Sequence, residues 1–223
     1  MHKYATFGLL LALTLTACGG SGGTPAPPPP LKTDFIQPTS IDGTVQVVGL
    51  SNTAKLQLQG EKSSDILVTT PLQSNGQFKL VLPNATLAAK LKSDLLGGLF
   101  QLASPNGDGC TGSITISDAI AKVYGFTTLK LVDGATTTKL TSATLSGSSD
   151  GGFQGTLDLW LYASSPVSMT GSRTCTDGKS TQANVQVKPG WNAVRISFNG
   201  KNTSLESVDP IKTVWREGGI APF

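Results

Sequence analysis

Leu157-Asp158-Leu159-Trp160-Leu161-Tyr162 alternates without a break, with leucine at every odd position and a polar or aromatic residue at every even one. Successive side chains of a β-strand point to opposite faces. The stretch therefore reads as a strand with its leucines on one side and Asp158, Trp160 and Tyr162 on the other.

The same signature recurs outward from it. Ile114/Ile116, Leu129/Leu131, Leu140 to Leu145, Val185/Val187 and Val194/Ile196/Phe198 alternate in the same half. Asp133-Gly134, Asp150-Gly151-Gly152, Asp177-Gly178 and Asn199-Gly200 divide them as turns. Nearer the start, residues 44–48, 54–58, 66–70 and 77–82 are apolar or β-branched strings separated by Gly49, Gly60, Pro71 and Asn75-Gly76. Between the halves, Leu87, Leu91, Leu95 and Leu99 recur at helical spacing, and Gly97-Gly98 would end or kink that helix. Ser104 to Gly109 is turn chemistry throughout. The expected fold is mainly β: two antiparallel sandwich-like units with one short helix between them. Residues 38–105 form the first unit, with the helix near 86–100. Residues 106–223 form the second, a β-sandwich or open barrel.

Composition agrees with short strands and turns. Only 14% of the 223 residues are charged, Gly occurs 26 times, and the formal net charge is +3. Lys and Arg form no cluster, so no nucleic-acid footprint is present.

The chain begins with His2 and Lys3, an apolar run to Leu15, then Thr16-Ala17-Cys18 and Gly19-Gly20. That is the layout of a secretory signal, too short to span a bilayer comfortably. Leu15 to Cys18 resembles the bacterial lipobox. The resemblance implies a signal peptide over 1–17 and cleavage before Cys18, which would carry acyl chains such as palmitate. Residues 18–37 then hold the lipidated Cys18 and a Gly/Pro-rich tether (GGSGGTPAPPPP at 19–30). The expected place is outside the cytoplasm, as a membrane-anchored lipoprotein of the cell envelope. Of three cysteines, Cys110 and Cys175 remain after the anchor, an even pair in an exported protein, so a disulfide is expected.

The sole histidine is His2, inside the signal. Without it, Ser-His-Asp and Cys-His catalysis and HExxH zinc binding lack a partner. Gly147-Ser148-Ser149-Asp150-Gly151 matches G-x-S-x-G but lies between two strands, where it reads as a turn. Gly107-Asp108-Gly109-Cys110-Thr111-Gly112 matches G-x-G-x-x-G but precedes a strand, Ser113 to Ile116, where a dinucleotide site needs a helix. No catalytic residue, metal site or cofactor is expected. Asp158, Trp160 and Tyr162 could line up as a ligand platform if their face is open, or pack under a second layer if it is not.

Ile41 to Val45, Asn75-Gly76-Gln77-Phe78 and Leu80-Val81-Leu82-Pro83 resemble the carboxypeptidase-regulatory and transthyretin-like sandwich domains. The likeness covers about 45 residues and implies no catalytic group. Gly171 to Gly178 and Lys188 to Asn192 resemble uncharacterised bacterial surface lipoproteins. The function expected is a non-catalytic envelope lipoprotein, a structural or binding module held to the membrane by its lipid. Its envelope partner is unknown, and the alternative is a protein that binds or processes carbohydrate.

Overall fold

The computed structural model describes residues 34–92, 98–99, 109–147, 153–210 and 212–217. The signal, Cys18 and residues 19–33 of the tether lie outside them, as do Asp150-Gly151-Gly152, most of the G-x-S-x-G match and the first two residues of the G-x-G-x-x-G match. Among the described residues the fold is mainly β, with two sheets forming sandwich-like units and a short helix. Among the described residues no helix is long and apolar enough to cross a membrane.

The first sheet contains β1 (Ser40–Gln46), β2 (Lys55–Gln59), β3 (Ile66–Pro71), β4 (Gln77–Val81), β7 (Thr128–Asp133), β8 (Thr136–Thr141) and β15 (Thr213–Glu217), in the order β3-β2-β7-β8-β15-β1-β4. The second contains β5 (Cys110–Ile116), β6 (Val123–Phe126), β10 (Phe153–Ala163), β11 (Val167–Cys175), β12 (Ser180–Val187), β13 (Gly190–Gly200) and β14 (Asn202–Val208). Their order is β5-β11-β12-β14-β13-β10-β6, with β9 (Thr144–Gly147) beside β10. Antiparallel pairing dominates, but β1–β15 and β12–β14 are parallel.

The expected division at residues 105/106 does not separate these sheets, because β7, β8 and β15 join the first. One residue, Thr127, lies between β6 in one sheet and β7 in the other. At this residue the chain passes from one sheet to the other.

The sheets bury two apolar cores, and Phe126, Trp160 and Trp191 of the second sheet join the core of the first. In the first, Ile41, Leu56, Leu58, Leu80, Leu129, Leu140 and Trp215 are nearly or fully buried together. Its two edges meet where Thr70 of β3 donates its hydroxyl to the Lys79 carbonyl of β4 at 2.8 Å. In the second, Leu157, Leu159 and Leu161 pack with Val185, Val194, Ile196 and Leu205. Seven strands laid flat would put β5 and β6 about 29 Å apart. The six residues joining Ile116 to Val123 reach at most about 25 Å, so this sheet cannot be flat.

The helix is shorter than its leucine spacing predicts. α1 spans Ala85–Ala88, capped by Asn84, whose side chain accepts from the Leu87 N–H. The Lys90 carbonyl accepts from the Glu61 N–H at 2.8 Å, which ties the chain to the β2–β3 turn. Residues 93–97, the middle of the predicted helix, lie outside the described residues.

Gly43 and Gly155 are among the glycines that close approach requires. Gly43 lies opposite Phe78, and a Cβ there would sit 2.8 Å from the Phe78 ring and 2.7 Å from the Thr213 carbonyl oxygen. Gly155 has φ +131°, and a Cβ would overlap the Thr144 carbonyl where β9 meets β10. Gly155→Ala is expected to destabilise by about 2–3 kcal/mol through backbone strain and overlap, read as a lower urea midpoint with an unchanged slope.

Candidate functional site

The even-numbered face of β10 is not an open platform. Trp160 is 3% exposed and lies between Trp215 at 5.3 Å and Phe126 at 5.7 Å, centroid to centroid, with interplanar angles of 24° and 17°. Tyr162 is half-buried and meets Trp191 edge-on at 5.6 Å. Trp191 donates its indole N–H to the Pro83 carbonyl at 2.7 Å. Of the two readings of this face, the packed one therefore holds for the rings: they form the seam between the sheets and not an open ligand platform. The first sheet covers this end of β10, because β15 brings Trp215 against it.

Asp158 is likewise committed. It is buried, and its carboxylate accepts from Arg195 Nε at 2.8 Å across the β10–β13 pair. Removing it would leave a guanidinium partly desolvated, with the Arg195 side chain 24% exposed. Full burial would make that loss large, but solvent reaches Arg195, so Asp158→Ala is expected to cost about 1–2 kcal/mol. Asp158→Asn, which keeps an acceptor, should cost about half as much in a chemical melt.

Away from the seam, the same face of the second sheet is open and polar. Pairing registers set its side chains in straight rows across six strands. One row runs Asp158, Arg195, Glu206, Asn184, Thr170, Thr115. The next runs Thr156, Ser197, Ser204, Gln182, Ser172, Ser113, and the third Gln154, Asn199, Asn202, Ser180, Thr174, Thr111. All but Asp158 are half-buried or exposed. Every side chain outside the Asp158–Arg195–Glu206 end of the first row is an uncharged hydroxyl or amide. Such groups can donate and accept; neighbours within a row lie about 4.8 Å apart from strand to strand, and successive rows about 6.7 Å apart along the strands. Some already bond along the sheet, as Ser180 does to Asn202 at 2.6 Å.

The other loop carboxylates serve turns. The Ser51 hydroxyl and N–H hold Asp133 below the usual carboxylate range, and Lys179 does the same for Asp177 through a 2.7 Å contact. Gly134 and Gly178 beside them have positive φ, as the turn reading requires. Among the described residues no group of three or more His, Cys, Asp or Glu is placed to hold a metal ion.

Cys110 and Cys175 face each other in the β5–β11 ladder and form a disulfide. The polar rows were hidden in the sequence because two of their strands, β14 and β11, read poorly. β14 (NTSLESV) has one buried apolar residue, Leu205, between polar neighbours. In β11, Gly171 interrupts the alternation of Val167 and Met169 with serine and threonine. No protein-family model, characterised protein or solved structure matches the chain.

Proposed function

We propose that this chain is a non-catalytic lipoprotein of the bacterial cell envelope, anchored through Cys18, that acts as a structural or binding module. The observation that carries the binding role is the open face of the second sheet, with its rows of hydroxyl and amide groups. The anchor rests on Leu15 to Cys18 and the Gly/Pro tether behind it. Wild-type protein should partition into detergent and Cys18→Ser should not, because acylation of the thiol and of the new amino group would hold the chain in the bilayer. Processed Cys18→Ser protein that stays in the membrane fraction would refute the anchor.

A carbohydrate ligand is the second reading, and the same rows favour it. A sugar presents hydroxyls that both donate and accept, and the face offers groups of the same kind at regular spacing. Here the ligand surface is not the Asp158, Trp160 and Tyr162 strand but the face beyond it. The full chain, solubilised in detergent, should be retained on immobilised envelope glycan. Ser172→Glu/Ser204→Glu should abolish retention with the thermal transition unchanged. Equal retention of the double variant would remove this face from the ligand site.

A further inference from the structure

The described chain enters the fold as a strap clamped to one end of the second sheet. The Ile36 N–H donates to Asp209 at 2.8 Å, and Gln37 Nε2 donates to the Pro189 and Trp191 carbonyls at 2.8 and 3.1 Å. Lys188 donates to the Phe35 carbonyl at 3.3 Å, with its ammonium 4.5 Å from the Phe35 ring centroid. Phe35 is 3% exposed, so this is a docked segment.

The same end of the sheet carries the loop from Ile116 to Val123. β10 ends there at Ala163, which pairs with Val123 and with Gly190, and β11 begins there beside Ile116. At the tip of that loop Ile120 is 91% exposed, its N–H donating to the Asp118 carboxylate at 3.1 Å. Ile36, on the strap, is 68% exposed. Lys122 follows Ile120 in the loop, and Lys188 stands at the strap. Of the acids at this end, Asp118 and Asp209 are bonded to the backbone N–H groups of those two isoleucines, and Asp34 begins the strap.

We infer that this end faces the lipid surface, with Ile120 and Ile36 resting in the headgroup region and Lys122 and Lys188 beside the phosphates. The inference rests on the lipid anchor proposed above. The sixteen backbone steps from Cys18 to Asp34 reach at most about 55 Å. They join the fold at this end. Turning the opposite end of the eleven-residue strands β10 and β13 to the bilayer would use about 36 Å of that reach. Isoleucine enters the interface favourably, and the long lysine stems let their ammonium groups meet anionic headgroups.

Val48 supplies the control. It is fully exposed, but it follows β1, whose seven residues run about 23 Å from the strap. Benzoylphenylalanine placed at position 120, 36 or 48 of the full chain, in native envelope vesicles, reads out contact as photocrosslinked lipid. Positions 120 and 36 should give roughly ten-fold more lipid adduct than position 48. Membrane-bound protein that labels equally at 48 and 120 would overturn the orientation and leave the anchor standing. Protein missing from the vesicles would overturn the anchor, and the orientation with it. Amide exchange over 117–122, slower on vesicles than after detergent release, tests the same contact without substitution; an unchanged rate would count against it.

Discussion

Trp160→Ala is expected to destabilise the protein by about 3–5 kcal/mol, the range for deleting a buried aromatic. With roughly 190 residues folding, that lowers the melting temperature by about 10 °C. The size follows from position. Trp160 belongs to the second sheet, yet its ring stacks on Trp215 of the first and on Phe126 at the corner where the chain passes between them. Its loss leaves a cavity at the seam that neither core can collapse to fill, since the backbones on both sides are held by sheet ladders. Tyr162→Ala, at a half-buried ring on the same strand, should cost clearly less. Equal losses, or a Trp160 variant as stable as wild type, would show that the two sheets are not held together at this seam.

Removing the disulfide by Cys110→Ser/Cys175→Ser is expected to cost about 4 kcal/mol for a bridge spanning 65 residues in the loop-entropy account. The loss should be local in its first effect. β5 is an edge strand that pairs in its sheet with β11 alone, and the bridge pins its first residue to the last residue of β11. Amide exchange across 110–116 should therefore quicken before that of β13, at the centre of the sheet. Mild reduction of the wild-type chain should reproduce the pattern. Uniform exchange in the reduced and oxidised forms would show that the ladder alone holds the edge.

Fold class was legible because period-two alternation is a local property. The strings at 44–48, 54–58, 66–70 and 77–82 became β1 to β4 with ends moved by a few residues, and Leu157 to Tyr162 became the middle of β10. Four strands left too little apolar contrast to read. β6 and β15 are short, β11 carries a glycine, and β14 is polar on both sides of Leu205. Leu87 and Leu91 stand at helical spacing, but α1 ends at Ala88, and the Lys90 carbonyl beyond it accepts from the distant Glu61 N–H. The Cys110 and Cys175 pair could be read by counting, since pairing needs no knowledge of the path between them.

The sequence by itself determined which residues alternate, and so that the leucines of β10 share one face and Asp158, Trp160 and Tyr162 the other. Whether that second face met water or protein was decided by tertiary structure alone. The answer depends on β15, 53 residues beyond Tyr162 at Trp215, returning to the first sheet and laying an indole over Trp160. Alternation reports the two sides of a strand but carries no record of what approaches either one. The polar rows have the same origin. Their residues come from six strands, and they line up because hydrogen-bond registers align them, which no single stretch of chain encodes.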